Sequence, residues 1–425
     1  MTLIVCLGIF FVMLLVGLPV LLCLGFSCTV WLLVAGNGAA YLMAQKVFVS
    51  IDSFSIMAIP FFMMAGEIME HTGITKSLVK LASSIIGWVR GGIAMTVELA
   101  GMLLAGLSGS ANADTAALGV LCFPSLKEAG YDEGMACSIV CSAGGLGPII
   151  PPSLIMIIYA SVAGLNVGTL FMAGILPGVL LGVGYMLICY FYARIHNLPR
   201  TPFGGFRNIW NCFIGSFGAL LMPVIIIFGI VSGIFTVTEA GMAAVLYGML
   251  YGLLTKKLDL KSLVRCVKNG AVTSVNPILL LAFSNIFAYM LAREGVVSAI
   301  GKFCVAHISS GIGLMLFLTL ITVIGGCFMD GAAIVLILTP IMMPVVKTMG
   351  VDPIQFSMVF MLAIMVGGMT PPVGAQLFIV SATSKTPITK IAKPIMAFIA
   401  MEVLMCVLVT FIPGIATWIP SILRS

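Results

Sequence analysis

Long apolar runs separated by short polar segments dominate the chain. No Asp, Glu, Lys or Arg occurs in residues 1–45, 134–193, 208–238 or 353–384. A helix of about 18 or more apolar residues is long enough to cross a lipid bilayer. Because several such runs follow one another, the pattern predicts an all-α protein with many membrane-spanning helices.

A pattern of prolines, glycines and charged residues occurs twice, at a fixed separation of 220 positions. The matches pair Pro124, Lys127, Gly130 and Asp132 with Pro344, Lys347, Gly350 and Asp352, and Gly147, Pro151 and Pro152 with Gly367, Pro371 and Pro372. No gap is needed between these two clusters. We therefore interpret the chain as two homologous halves.

Each half is predicted to contain the same elements in the same order. These are a helix, an amphipathic segment suited to the membrane surface, a Gly/Ser-rich stretch with a polar centre, a segment broken by paired prolines, and a closing helix. They occupy 54–71, 76–90, 96–123, 135–165 and 170–193 in the first half, and 271–291, 295–309, 314–343, 355–383 and 394–420 in the second. Between the halves, 210–254 is predicted to form two further spans.

The distribution of basic residues orients these elements. Loops 194–209 and 255–269 are basic, and two spans separate them, so both lie on the cytoplasmic side by the positive-inside rule. If the polar-centred stretches are re-entrant hairpins, five spans separate corresponding points of the two halves. An odd number inverts the second half, and the basic loop 384–393 then also lies in the cytoplasm. The charges therefore favour an inverted repeat with ten spans and two hairpins.

This interpretation divides the chain into four parts. Residues 1–50 form N-terminal scaffold spans, and 51–195 form the first inverted repeat. Residues 196–269 form central scaffold spans with basic loops, and 270–425 form the second inverted repeat. The expected fold is thus an all-α polytopic membrane protein with two re-entrant hairpins and two broken helices.

Composition excludes several classes of protein. The chain is 61% hydrophobic and 8% charged, with a mean hydropathy of +1.24, whereas a soluble protein is roughly 25% charged. These values exclude a soluble enzyme, a nucleic-acid binder and a disordered chain. The net charge of +6 reflects membrane topology rather than an anionic partner, and the 12 cysteines show no spacing typical of a metal cage or a disulfide framework.

Four glycine-rich segments interrupt the apolar runs at positions related by the repeat. They span Gly106–Asp114, Gly144–Ser153, Gly325–Gly331 and Gly367–Gln376. A helix broken inside a membrane leaves backbone N–H and C=O groups that only protein, water or a ligand can satisfy. Paired broken helices of this kind indicate the binding site of a secondary transporter, although any one segment could serve packing alone.

Side chains in these segments add oxygen and nitrogen ligands. Hydroxyls and amides come from Ser108, Ser110, Asn112, Ser153, Thr370 and Gln376. Asp114 and Asp330 lie in apolar surroundings, where a carboxylate either binds an ion or caps a half-helix. Glu98, Glu239 and Glu402 lie near predicted helix ends or interfaces, so we expect structural roles for them. The three histidines, His71, His196 and His307, have no metal-binding spacing.

At these motifs the chain resembles the large membrane (M) subunit of tripartite ATP-independent periplasmic (TRAP) transporters. The motifs are Gly17-Leu-Pro19, Pro60-Phe-Phe-Met-Met-Ala-Gly66, Gly109-Ser-Ala-Asn-Ala-Asp114, Pro148-Ile-Ile-Pro-Pro-Ser153, Pro340-Ile-Met-Met-Pro344 and Thr370-Pro-Pro-Val-Gly374. The resemblance covers essentially the whole chain. No single motif carries it, but the set is specific.

The resemblance implies a sodium-coupled, elevator-type importer of organic acids in the bacterial inner membrane. It also implies a separate small four-helix membrane subunit and a periplasmic substrate-binding protein as partners, with Na⁺ as the coupling ion and no cofactor. The implied sodium-site residues are Ser108, Ser110, Asn112, Asp114, Gly145, Pro148, Gly326, Asp330, Gly367 and Thr370, many of them acting through backbone carbonyls. Substrate-site candidates are Pro152, Ser153, Pro372 and Gln376.

Other interpretations stay open at this point. A stand-alone sodium/dicarboxylate symporter of the same architecture would need no binding protein. An intramembrane enzyme would need a nucleophile–base constellation, and Asp114 with Asp330 is only a formal pair. A channel is disfavoured because the sequence has no run resembling a selectivity filter. ATP binding is not indicated, because the sequence has no Gly-x4-Gly-Lys-Ser/Thr motif. The organic acid itself, whether dicarboxylate, keto- or diketo-sugar acid or sialic acid, is not readable from the sequence.

Overall fold

A computed structural model describes residues 2–35, 39–52, 56–308, 310–371 and 374–423. In these ranges every regular element is helical and no β-strand occurs, as the hydrophobic pattern predicts. Helices suit an apolar chain in a bilayer because each one satisfies its backbone hydrogen bonds within its own segment.

The described residues of the first half of the chain form ten helices. They are α1 (Thr2–Leu15), α2 (Val20–Ala35), α3 (Ala39–Ile51), α4 (Ala58–His71), α5 (Ile74–Ile86), α6 (Gly92–Ser108), α7 (Ala111–Glu128), α8 (Glu133–Gly145), α9 (Leu154–Ala163) and α10 (Val167–Ile195). Helices α6 and α7 form a hairpin with a two-residue turn, and α8 and α9 are the two parts of a broken helix.

Eleven helices follow in the described part of the middle and second half. They are α11 (Phe206–Val231), α12 (Val237–Leu254), α13 (Leu260–Arg293), α14 (Val296–His307), α15 (Gly311–Gly326), α16 (Gly331–Thr348), α17 (Pro353–Met369), α18 (Ala375–Ser384), α19 (Ile388–Ile391), α20 (Met396–Phe411) and α21 (Gly414–Leu423). The order found in α4–α10 recurs from α13 onward, with α15 and α16 as the second hairpin and α17 and α18 as the second broken helix.

The helices pack into two groups. In the outer group, α4 packs against α12 and α13, α11 packs against α5 and α12, and α13 packs against α2 and α3. In the inner group, α7 packs against α8 and α18, α9 against α16, α17 against α15 and α20, and α10 against α6 and α20. Nearly every residue of α8 and α17 is buried, so the broken helices form the centre of the inner group.

Among the described residues, five helices are individually long and apolar enough to span a membrane, namely α10, α11, α12, α13 and α16. A sixth span results if α20 and α21, which meet at a bend of 61°, are counted together. Several shorter apolar helices, α6, α9, α15, α17 and α18 among them, belong to the hairpins and broken helices. The count of ten spans, which combines such pieces, stays a prediction.

Two elements differ from the sequence prediction. The helix expected at 271–291 begins earlier, because Asp259 caps its first turn and the basic segment after it continues as helix α13. The boundary drawn between 269 and 270 therefore falls inside a helix. The closing helix expected at 394–420 bends between Phe411 and Gly414, where Pro413 interrupts the helical hydrogen bonding.

Candidate functional site

The first hairpin turns at Ser108–Ser110. Helix α6 ends at Ser108, and Gly109 follows with φ of +59°, a left-handed conformation that favours glycine. A Cβ on Gly109 would lie only 2.6 Å from the Pro152 carbonyl oxygen, so the turn also needs the absence of a side chain. Ser110 caps α7 by accepting a hydrogen bond from the Ala113 amide.

The break in the first broken helix packs against this hairpin tip. Helix α8 ends at Gly145, and α9 restarts at Leu154 behind the N-cap residue Ser153. The Ser153 hydroxyl donates to the Pro148 carbonyl at 3.1 Å, and the Leu154 amide donates to the Gly109 carbonyl at 3.4 Å. The hairpin tip and the helix break therefore form one unit.

The second hairpin and the second broken helix meet in a similar way. Helix α15 ends at Gly326, whose backbone packs directly against Gly367 in α17, and α16 restarts behind the N-cap residue Asp330. Helix α17 ends at Met369, and the hydroxyl of Thr370 donates to the Val366 carbonyl at 2.5 Å. Pro372 lies outside the residues that the structure describes.

The two hairpin tips contact each other. The Asn112 amide nitrogen donates to Asp330 Oδ1 at 3.0 Å, although the two residues are 218 positions apart. The other carboxylate oxygen of Asp330 accepts from the Ala332 amide, which is the capping bond of α16. One side chain thus both starts a half-helix and joins the two halves of the chain.

A cavity of about 240 Å³ lies beside this contact, and we call it the central cavity. The predicted site residues that line it are Ser110, Asn112, Pro148, Asp330 and Gln376. A second cavity of about 200 Å³, the side cavity, adjoins the first hairpin and is lined by Ser108, Ser110 and Asp114 together with Glu67 and Glu70 of α4. Ser110 borders both cavities.

Two buried polar atoms at the site lack a hydrogen-bond partner in the described part of the chain. Asp114 is 3% exposed; its Oδ1 accepts from the Ser108 hydroxyl at 2.6 Å, but its Oδ2 accepts from no donor. Gln376 is 5% exposed, and its Oε1 is also without a partner. Buried polar atoms are normally satisfied, so these oxygens are candidate ligand contacts.

The other predicted residues lie behind the cavity walls. Gly145, Gly326, Gly367 and Thr370 provide backbone at the helix breaks and line neither cavity, and buried Pro152 and Ser153 pack against the first hairpin tip. Gly145 is nevertheless close to the site, because a Cβ there would lie 3.3 Å from Gln376 Oε1.

The opposite wall of the central cavity was not predicted. It includes Thr273, Asn276 and Pro277 in α13 and Ile59 and Met63 in α4. Asn276 and Pro277 interrupt an otherwise apolar run, which is a weak local signal. The packing of α13 against the hairpin tips is a tertiary feature that no local pattern contains.

The carboxylates assigned structural roles divide into two types. Glu239 completes a capping box with Thr236 at the start of α12, as expected of a residue near a helix end. Glu98 and Glu402, by contrast, are fully buried inside the inner group and lie well within α6 and α20 rather than at helix ends. Glu98 accepts from Ser142 at 2.6 Å, and Glu402 accepts from Tyr185 at 2.5 Å.

The ligand chemistry of the site suits a hard monovalent cation and an organic anion better than a transition metal. No group of three or more His, Cys, Asp or Glu side chains comes together in the described ranges. The site instead presents hydroxyl, amide, carboxylate and carbonyl oxygens at helix ends. Helix C-terminal carbonyls attract cations, and helix N-terminal amides attract anions.

Comparison with known proteins identifies relatives over nearly the whole chain. Residues 7–415 match the family described as "Tripartite ATP-independent periplasmic transporter, DctM component". The 2,3-diketo-L-gulonate TRAP transporter large permease protein YiaN of Escherichia coli K12 is 35% identical over 404 residues, covering 94% of each chain. The C4-dicarboxylate TRAP transporter large permease protein DctM of Vibrio cholerae is 31% identical, covering 97% of this chain and 96% of the relative.

A longer relative and a solved structure extend the comparison. The isethionate TRAP transporter permease protein DctMQ of Oleidesulfovibrio alaskensis is 34% identical over 96% of this chain, which spans 65% of that relative's length. The crystal structure of the YdaH transporter of Alcanivorax borkumensis superposes with a TM-score of 0.64 at 14% identity, covering 89% of this chain and 90% of that one, and it supports the fold alone.

These matches agree with the motifs found in the sequence. The family is one of transporter permeases rather than enzymes, and its members work with a small membrane subunit and a periplasmic binding protein. The chain therefore belongs to the DctM family of large TRAP-transporter membrane subunits, multi-pass proteins of the bacterial inner membrane.

Proposed function

We propose that the chain is the sodium-coupled large subunit of an importer of organic acids. The substrate class is a dicarboxylate, a keto- or diketo-sugar acid, or a sialic acid. The names of the relatives support this range, since they include a C4-dicarboxylate and a 2,3-diketo-L-gulonate transporter. A separate small membrane subunit and a periplasmic binding protein complete the transporter.

The hydrogen bond between Asn112 and Asp330 is the observation that carries this proposal. It brings the two hairpin tips together at the central cavity, so N-terminal half-helix amides from both halves surround one space. No Lys, Arg or His borders that space in the described ranges. An organic anion there needs amides, hydroxyls and a bound cation to offset the loss of its hydration, and Na⁺ is that cation.

Na⁺ is proposed to bind at the first hairpin tip. The last carbonyls of α6 and of α8 have no partner within their helices. The unpartnered Asp114 Oδ2 and the Ser108 hydroxyl lie at the same tip. Within the described residues no Lys, Arg or His nitrogen lies within 4 Å of this carboxylate. An ionised carboxylate buried in an apolar region is strongly disfavoured unless a cation offsets its charge.

The packing of the helices supports an elevator mechanism. The central cavity lies between the inner group, which contributes both hairpin tips, and the outer group, which contributes α4 and α13. In this proposal each group combines elements from both halves of the inverted repeat, arranged around one site. The inner group moves as a block and carries Na⁺ and the organic acid past the outer group.

We expect Asp330→Ala to weaken sodium-dependent uptake. The substitution removes the contact with Asn112 and the cap of α16, and losing a cap costs about 0.5–2 kcal/mol. The matched control is Asp352→Ala, because Asp352 caps α17 at Ile354 and Gln355 without lining either cavity. Uptake is measured in proteoliposomes over a range of Na⁺ concentrations.

Of these two variants, only Asp330→Ala should raise the Na⁺ concentration needed for half-maximal uptake. Asn112→Ala should give a similar shift, and the double variant should be no worse than the more severe single variant, because both changes remove one contact. If the Asp330 and Asp352 variants had the same sodium dependence, Asp330 would serve only as the cap of α16.

The proposed function is tested by uptake into proteoliposomes that contain this chain and its small membrane partner. Labelled organic acids are supplied with and without an inward Na⁺ gradient, and with and without the binding protein. Uptake should require both the gradient and the binding protein. Uptake that needs Na⁺ but no binding protein would instead identify a stand-alone sodium/dicarboxylate symporter.

A further inference from the structure

A polar cleft lies away from the transport site, between helix α5 and the start of helix α11. Its volume is about 370 Å³, and we call it the arm cleft. Its lining includes Lys80 and Ser83 on α5 and Trp88 just after α5. It also includes Thr201 in the loop before α11 and Asn208 on α11. We propose that the arm cleft binds the phosphate-containing headgroup of an anionic phospholipid.

The cleft is held in shape by contacts between its two walls. The Ser216 hydroxyl of α11 donates to the Ser77 carbonyl of α5 at 3.0 Å. The Thr201 hydroxyl donates to the Gly87 carbonyl just beyond the end of α5. These two hydrogen bonds, one on each side of the opening, fix the loop and α11 against α5, so the cleft exists before any ligand arrives.

Several hydrogen-bond donors in the cleft lack acceptors. The Lys80 ammonium, the Ser83 hydroxyl and the Asn208 amide nitrogen donate to no acceptor within the part of the chain that the structure describes. Convergent donors without acceptors are complementary to a phosphate group, which supplies oxygens alone.

The charge around the cleft has one sign. Residues 72–90 and 196–231, which contain both walls, include Lys76, Lys80, Arg90, Arg200 and Arg207, and they include no Asp or Glu. Basic residues at the cytoplasmic membrane surface attract anionic lipids by about 1 kcal/mol each. The positive-inside rule places this end of α11 on the cytoplasmic side, where such lipids are accessible.

The rim of the cleft is aromatic and exposed. Trp88 is 46% exposed and packs edge-to-face on Phe203, which packs in turn on Phe206. Trp210 is 61% exposed on the next turn of α11. Exposed Trp side chains prefer the headgroup level of a membrane, so the cleft opens where a lipid's phosphate and acyl chains diverge. This favours a lipid over a soluble anion as the ligand.

The test uses the intact complex of this chain with its small subunit in lipid nanodiscs. Photoreactive phosphatidylglycerol or phosphatidylcholine, each with the same reactive acyl chain, is activated, and labelled peptides are mapped by mass spectrometry. Phosphatidylglycerol should label the segments around Trp88 and Phe203 more than phosphatidylcholine does. Lys80→Ala should lower this preference by about 5-fold, and Lys80→Arg should retain it.

Lys76→Ala is the matched control, because Lys76 is an exposed lysine one turn away on the same helix that does not line the cleft. It should label like wild type. The proposal would be overturned if the two lipids labelled these segments equally, or if the Lys76 and Lys80 variants lost the preference for phosphatidylglycerol equally. Labelling of the small subunit in place of these segments would also overturn it. The same holds if soluble glycerol phosphate displaced the photoreactive phosphatidylglycerol as efficiently as unlabelled phosphatidylglycerol does.

Discussion

Replacing Asp114 with asparagine is expected to abolish most sodium-dependent transport. The change keeps the shape of the side chain and removes its negative charge. Asp114 is buried, and its Oδ2 has no partner in the described residues, so the charge is available to a cation. Losing a hydrogen bond or contact to a charged group costs about 1.5–3 kcal/mol, or roughly 10- to 150-fold in sodium affinity.

The measurement is the sodium dependence of uptake in proteoliposomes, with folded protein quantified by size-exclusion chromatography. Asp132→Asn is the matched control, since Asp132 caps α8 by accepting from the Gly134 amide and lines neither cavity. Asparagine caps helices as well as aspartate does, so this variant should transport normally. If Asp114→Asn retained wild-type sodium dependence, the carboxylate would serve only as the partner of Ser108.

The second large effect is expected from Gly326→Ala. Gly326 and Gly367 join the second hairpin to the second broken helix backbone to backbone, and a Cβ on Gly326 would lie 2.8 Å from Gly367 Cα. Carbon atoms pack best at about 3.5–4.0 Å, so α15 and α17 must separate. Overpacking of this kind costs about 1–3 kcal/mol, and we expect uptake per folded molecule to fall roughly 10-fold.

The neighbouring glycine provides the control for this substitution. A Cβ on Gly325 would meet Leu338 Cδ1 at 3.9 Å, which is ordinary contact. Alanine also favours a helix over glycine, so Gly325→Ala should fold and transport like wild type. Thermal unfolding and uptake are measured for both variants. Indistinguishable behaviour of the two would show that close contact between the hairpin and the broken helix is unnecessary.

The breaks in the helices could be predicted from sequence because their causes are local. Glycine and proline clusters indicated interruptions at 144–153 and 367–376, and the structure ends α8 at Gly145 and α17 at Met369. Ser153 restarts α9 as an N-cap in the first case. Glycine gives conformational freedom, proline lacks an amide donor, and serine supplies a capping hydroxyl. Because these are properties of single residues, they can be recognised in the sequence.

The difference between Asp114 and Asp330 could not be predicted. Each follows a glycine-rich turn, and the sequence allowed ion binding or capping for both. In the structure Asp330 is the N-cap of α16, whereas Ser110 takes that role in α7 and leaves Asp114 inside the first turn. Asp114 lies four residues after the N-cap of its helix, whereas Asp330 is itself the N-cap. This difference in position leaves Asp114 Oδ2 without a partner in the described residues.

The wall of the central cavity formed by α13 was missed for a different reason. Thr273 and Asn276 reach the hairpin tips through the packing of α13 against α16, a contact between segments far apart in sequence. Hydrophobic periodicity predicts that such a helix exists, but not which of its faces meets which partner. The helix breaks of the site are thus determined by local sequence, whereas the α13 wall is determined by tertiary packing.

Co-transport of Na⁺ and an organic acid through a site between the hairpin tips is the core of the proposed function. Its most direct test is to measure radioactive sodium and labelled organic acid entering the same proteoliposomes, which contain the wild-type chain or Asp114→Asn with both partners. Wild type should take up the two in a fixed ratio, and the variant should lose both. Uptake of the acid without any accompanying sodium would contradict it.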